Sequence, residues 1–423
     1  MLPADRSLSR LPFHFGWVIV FAGMLTVFAA LGLGRFALGM LLPSMGEGLN
    51  LDYSDMGFIS TGNFVGYLAA VILSARVARR FGASRVITAG LLTVALSMIL
   101  VSRAGSFWQA LVFYFLTGLG SGAANVPMMG LVAHWFRASH RGRAAGFMVI
   151  GSGFAIMFSG TLIPFLNESL GAEGWRLAWL VLGLVSLAIT FIGLALLRDS
   201  PADIGLDPIG RDRPRARTNA VSQPGRSAGG TIVHLGSIYF LFGFTYVIYA
   251  TFIVTTLVQE RGLSEAIAGN FWFWVGFLSL SSGPVFGTLS DHLGRKAALV
   301  LVFTLQGMAF GLVAFELSVE FLYLSIFLFG ICAWSIPSIM AAAVGDTMGP
   351  ERAVAAFGTI TFFFGVGQIA GPALAGVLAE SSGSFSDSYL MAAMLAVLAI
   401  VLTLLLPVAS GARQAVMAVR KRR

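Results

Sequence analysis

The chain has 423 residues, of which 57% are hydrophobic and only 11% charged, with a mean hydropathy of +0.85. A soluble domain carries roughly a quarter charged residues. A soluble enzyme, a nucleic-acid binder and a disordered scaffold are therefore excluded. Segments of alternating polar and apolar residues, as in an outer-membrane barrel, are absent. What remains is an all-α integral membrane protein.

Residues 1–14 hold Asp5, Arg6, Arg10 and two prolines. The apolar run that follows, about 25 residues, is too long for the core of a cleaved signal. It reads as a retained first span. Hydropathy then predicts twelve spans, at about 15–43, 55–75, 85–102, 107–135, 143–166, 176–197, 233–258, 266–289, 297–315, 320–344, 353–379 and 388–408. The breaks are short except 198–231, which carries four prolines and six arginines. That segment divides six spans from six. The predicted organisation is an N-terminal half at 1–197, a linker at 198–231, and a C-terminal half at 232–423 with a basic tail.

Lysine and arginine set the orientation. With the N-terminus inside, 23 of the 27 fall in cytoplasmic segments. Arg103, Arg176 and Arg261 fall outside, and Arg35 falls within a span. The basic excess thus faces anionic lipid, which accounts for the net charge of +8. Both termini are expected in the cytoplasm. All 19 acids fall in loops or at span ends, with Glu265 among the outer ones and only Glu316 and Asp346 placed so that their assignment could be argued over. No acid is left for the membrane core. Cys332, the single cysteine, excludes an internal disulfide and reads as a buried small side chain.

The halves carry signs of duplication. Gly82 and Gly294 are 212 residues apart, Gly118 and Gly330 are also 212 apart, and Gly160 and Gly371 are 211 apart. The loop after span eight runs Gly287-Thr-Leu-Ser-Asp291-His-Leu-Gly294-Arg295-Lys296. Its glycines suit a tight turn and close helix approach. Asp291 lies near a helix N-terminus, where negative charge is favoured. The first-half counterpart keeps Gly82 and its basic neighbours Arg79 and Arg80 but has no acid.

This loop, the span count and the central break resemble the major facilitator superfamily (MFS). The resemblance implies a secondary transporter with two pseudo-symmetric six-helix halves, working by alternating access. It also implies a latching role for Gly287, Asp291, Gly294 and Arg295, a multi-pass location in a bacterial inner membrane, and a monomer. Gly32-Leu-Gly34-Arg35-Phe36 in span one and Tyr246-Val-Ile-Tyr249-Ala-Thr251-Phe252 in span seven are similar to a little-characterised bacterial branch. Gly174-Trp175-Arg176 at the start of span six is similar to branches that move organic anions, such as monocarboxylate carriers.

Arg35 is the sharpest single signal. A cation inside an apolar span costs at least about 2.5 kcal/mol on insertion scales. It reads either as an anion site or gating partner facing a cavity, or as a structural arginine bonded to helix carbonyls. Laying span one on span seven with Phe28 over Phe242 puts Arg35 on Tyr249. Polar and aromatic residues cluster in other spans as well: Ser60, Asn63 and Tyr67; Tyr114, Ser121 and Asn125; Thr245, Tyr246 and Tyr249; Trp334, Ser335 and Ser338; Thr361 and Gln368. Each is either cavity lining or hydrogen-bonding between helices. His134 and Gln306 read as peripheral. No metal cluster, phosphate loop or nucleophile–base pair appears, so no enzyme and no cofactor is expected. The predicted function is transport of a small carboxylate-like anion, with a proton carried along or an anion exchanged. A drug or metabolite efflux carrier and a non-transporting membrane sensor are the alternatives.

Overall fold

Apolar segments of this length satisfy their own backbone polar groups only as helices. The computed structural model describes residues 13–211, 228–315 and 317–406, and these are almost entirely helical. Glu316, Arg6, Arg10, the distal part of the central loop and the basic tail lie outside the described residues. Among the described residues there is no strand, only an isolated bridge between Phe136 and Ile209.

The first helix, α1, spans Gly16–Leu49, and α2, α3 and α4 span Tyr53–Phe81, Ala83–Val101 and Phe107–Trp135. Next come α5 at Ala138–Leu170 and α6 at Gly174–Leu196. Further on, α7 starts at Ala228–Thr255 and ends in a π turn at Thr256–Glu260. The series closes with α8 at Glu265–Leu293, α9 at Arg295–Ala314, α10 at Val319–Met348, α11 at Pro350–Ser382 and α12 at Ser386–Leu404. Eleven of these are long and apolar enough to cross a membrane. The twelfth, α8, has span length but is diluted by Asn270, four serines, Gly283 and Pro284.

The chain divides into two compact units, one from Met1–Ala216 with Ala250–Phe277, the other from Arg217–Tyr249 with Leu278–Arg423. In the first, α5 and α8 cross backbone to backbone. A Cβ on Gly160 would lie 2.7 Å from Gly269 O, and one on Gly276 would lie 2.8 Å from Gly153 O.

The duplication shows in packing detail. A Cβ on Gly151 of α5 would meet Met24 O at 2.2 Å and Phe28 N at 3.0 Å. One on Gly367 of α11 would meet Phe240 O at 2.3 Å and Phe244 N at 2.9 Å. All three pairs differ by 216 residues. On this register Arg35 corresponds to Thr251, not to Tyr249. Gly82 and Gly294 also share one backbone conformation, φ 90° ψ 145° and φ 88° ψ 151°, which admits glycine readily.

Two local features depart from simple spans. Helix α10 breaks at Ala333–Trp334. Pro337 cannot donate to the Ala333 carbonyl and its ring crowds it; at the break, Trp334 N donates to Ser282 Oγ of α8. The start of the central loop is also folded. Ile204, Leu206 and Ile209 pack on a core containing Phe15, Trp135 and Phe136. Arg137 N donates to Ile209 O, and Ile209 N to Trp135 O. Asp199 Oδ1 accepts from Ser84 N at 2.6 Å and Ser84 Oγ at 2.8 Å. An acid from beyond α6 thus caps α3, beside the first-half loop that has none of its own.

Candidate functional site

Arg35 sits where α1 stops being an α-helix. Residues Phe28–Phe36 form a π-helical segment within the continuous helix. A π turn shifts carbonyls out of the regular ladder, and such turns recur at functional sites. Three of those carbonyls are taken by side chains from α2 and α4. Ser121 Oγ donates to Ala30 O. Asn63 Nδ2 donates to Gly34 O at 3.0 Å. Tyr114 OH donates to Arg35 O at 3.0 Å. Glycine permits the approach: a Cβ on Gly34 would lie only 3.0 Å from Ser121 Oγ.

The guanidinium held by this frame lies 4.2 Å from the Tyr67 ring centroid and 4.7 Å from that of Phe64. Tyr67 OH in turn accepts from Asn125 Nδ2 at 3.0 Å. Cation–π contacts of this kind are worth roughly 0.5–2 kcal/mol each. They leave the N–H groups unmet: Nε and Nη2 of Arg35 are buried and have no acceptor. These two point from the same edge of the guanidinium plane. That edge fits a carboxylate bidentately.

Five residues singled out from sequence, Arg35, Asn63, Tyr67, Tyr114 and Asn125, therefore meet at one place in the first unit. Asn63 and Tyr114 hold the α1 backbone, whereas Tyr67 and Asn125 reach the guanidinium side. Phe64 was not picked out, because an apolar ring in an apolar helix carries no signal of its own.

The second unit has its own cluster. Tyr246 stacks on Phe242 and Phe364, with centroids 4.8 and 5.9 Å away, and meets Trp334 edge-on at 5.8 Å. Its hydroxyl accepts from Gln368 Nε2. Tyr249, three residues on, turns to other partners. It is fully buried, shares a 2.8 Å hydrogen bond with Ser325 Oγ, and stacks on Phe329 at 4.2 Å.

At the other end of this unit Arg295 pairs with Asp291, donates through Nε to Asp346 Oδ2 at 3.0 Å, and through Nη1 to Ser290 Oγ at 2.7 Å. Gly294 makes the turn with φ 88°. Gly287 was expected to allow close helix approach, but a Cβ there would meet nothing within 4 Å. Arg176 is accounted for structurally: it pairs with Glu173 at 2.7 Å and donates to Ala104 O at 2.6 Å, at the end of α3.

Two further polar residues have settings that the sequence does not show. Gln306 is fully buried, with neither amide atom bonded. Glu265, at the start of α8, accepts from Asn167 of α5. Among the described residues no group of His, Cys, Asp and Glu has metal-holding geometry.

The family described as "Uncharacterised MFS-type transporter YbfB" matches residues 27–404. The hexuronate transporter of Bacillus subtilis is 24% identical over 400 residues, covering 87% of this chain and 89% of that protein. Monocarboxylate transporter 11 of Mus musculus is 27% identical over 398 residues, covering 89% and 84%. The crystal structure of the nucleoside transporter NupG superposes with a TM-score of 0.70 at 14% identity, over 93% of this chain and 98% of that one. That likeness shows the fold.

Proposed function

Because the chain belongs to the MFS-type transporter family, we propose that it is a secondary transporter that moves a small carboxylate-like anion by alternating access. One observation carries the anion: the buried edge of Arg35 whose two N–H groups have no acceptor. A charge-assisted, bidentate pair would settle both donors at once. The relatives named for hexuronate and monocarboxylate support the same class. Cationic drugs lack the charge for this edge, which disfavours an efflux carrier of that kind.

In this proposal Tyr67 and Asn125 shape the anion's surroundings, while Asn63 and Tyr114 position the arginine through its backbone. Tyr246, Trp334 and Gln368 are proposed substrate contacts, and Tyr249 a packing residue. The Asp291–Arg295–Asp346 cluster is proposed as a conformational latch on the cytoplasmic side, with both termini on that side of a bacterial inner membrane and a single chain as the working unit. A proton or an exchanged anion provides the driving force.

The test is uptake of labelled glucuronate and lactate into proteoliposomes, driven in turn by a proton gradient and by internal anion. Arg35→Ala should abolish uptake while the protein still inserts. Wild-type uptake by that variant would refute the anion site. Binding without uptake would favour a sensor, a reading kept because the membrane sensor protein UhpC of Salmonella typhimurium is 27% identical over 176 residues.

A further inference from the structure

Asn167 of α5 is 8% exposed, and its side-chain amide does double duty. Its Nδ2 donates to Ser44 Oγ of α1 at 3.0 Å and to Glu265 Oε2, at the start of α8, at 2.5 Å. One amide therefore ties three helices together at their predicted outer ends. The amide's Oδ1 is buried with no partner. It presses on Gly174, where a Cβ would come within 2.5 Å of it. Glu265 stands one residue ahead of the predicted span. The charged groups acting on it are Glu47, near the end of α1, and Glu168, beside Asn167 on α5, both of its own sign.

We propose that Glu265 is a proton-binding site, and that the proton it takes up loosens the Asn167 tie between α8 and the α1–α5 pair. Partial burial, the largest effect, makes Glu265 hold its proton to a higher pH than an ordinary glutamate does; the Asn167 bond, next in size, acts in the opposite direction, and the like charges of Glu47 and Glu168 add to the burial effect. The ionised carboxylate accepts a charge-assisted bond, roughly twice as strong as a neutral one. Protonation removes that charge and occupies an oxygen, while Asn167 keeps its bond to Ser44. Ionised Glu265 thus fastens this end of the helices and protonated Glu265 slackens it. The proton comes from water and returns to water. For its consequence, a proton that licenses opening during transport, the proposal rests on the transport reading above.

Neither measurement below involves a substrate, so their failure is separable from failure of the transport reading. The first is infrared titration of the full chain in lipid vesicles. A protonated-carboxyl band should appear with a midpoint above that of an ordinary glutamate, and Glu265→Gln should lack it. Should that variant fail to insert, Glu265→Asp, too short to reach Asn167, should move the midpoint. The second is maleimide labelling. Ala268, one turn along α8, is fully buried and Ala266 is exposed. In a Cys332→Ser background, labelling of Ala268→Cys relative to Ala266→Cys should rise several-fold on acidification. Adding Glu265→Gln should keep that ratio high at all pH. A band at the ordinary glutamate midpoint, or a ratio indifferent to Glu265, would overturn the proposal.

Discussion

Arg35→Lys keeps the charge and removes the fork. The arginine offers two parallel donors, Nε and Nη2, on one buried edge. Lysine offers a compact ammonium that cannot reproduce that spacing. Losing one charged hydrogen bond costs about 1.5–3 kcal/mol, which is roughly 10- to 150-fold in affinity. Stability should change little, because the π segment is held through backbone carbonyls that the substitution leaves in place. The assay is titration calorimetry with glucuronate on purified protein, paired with a melting curve. Affinity within threefold of wild type would refute the bidentate argument. A large fall in Tm with the loss of binding would instead make Arg35 a structural clamp.

Asn63→Ala strands the Gly34 carbonyl and frees Tyr114 O; a loss of about 1–3 kcal/mol is expected, read by denaturation in detergent, with weaker anion binding as the guanidinium loses its support. Asp199→Ala removes the cap on α3 and should cost about 1–2 kcal/mol; protease cutting within 198–211 should quicken, and an unchanged rate would count against the cap. Asp291→Asn should slow turnover in proteoliposomes with affinity within about threefold, since its side chain is 63% exposed and such pairs contribute about 0–1 kcal/mol to stability. Lost binding at normal turnover would remove the latch.

The helical architecture was legible because burying a backbone in lipid leaves few alternatives, and hydropathy reports that burial directly. Arg35 was legible for the same reason, as a charge with no loop to explain it. The π segment was not, since Gly32-Leu-Gly34 reads the same in either helix type and only the donors on α2 and α4 decide. Asn63 and Tyr114 were found as polar residues, but their aim at the α1 backbone depends on tertiary packing. The partner of Glu265 was not legible, because position along the chain does not reveal that Asn167, 98 residues earlier, reaches it. Asp199 escaped notice likewise, lying 115 residues from the serine it caps. The span-one to span-seven alignment slipped by two residues because matching phenylalanines is a weaker guide than matching glycine contacts.

The crossing of α5 and α8 has a mechanical side. Helices that interdigitate large side chains behave like meshed gears: sliding one past the other means lifting each tooth out of its groove. Where Gly160 meets Gly269, and Gly153 meets Gly276, the backbones themselves touch and only Pro164 and Met157 reach across. Two smooth cylinders touch along their peptide planes, and a small roll or glide exchanges one set of shallow contacts for another of nearly equal depth. Such a seam has the character of a plain bearing, firm under compression and slack to rotation.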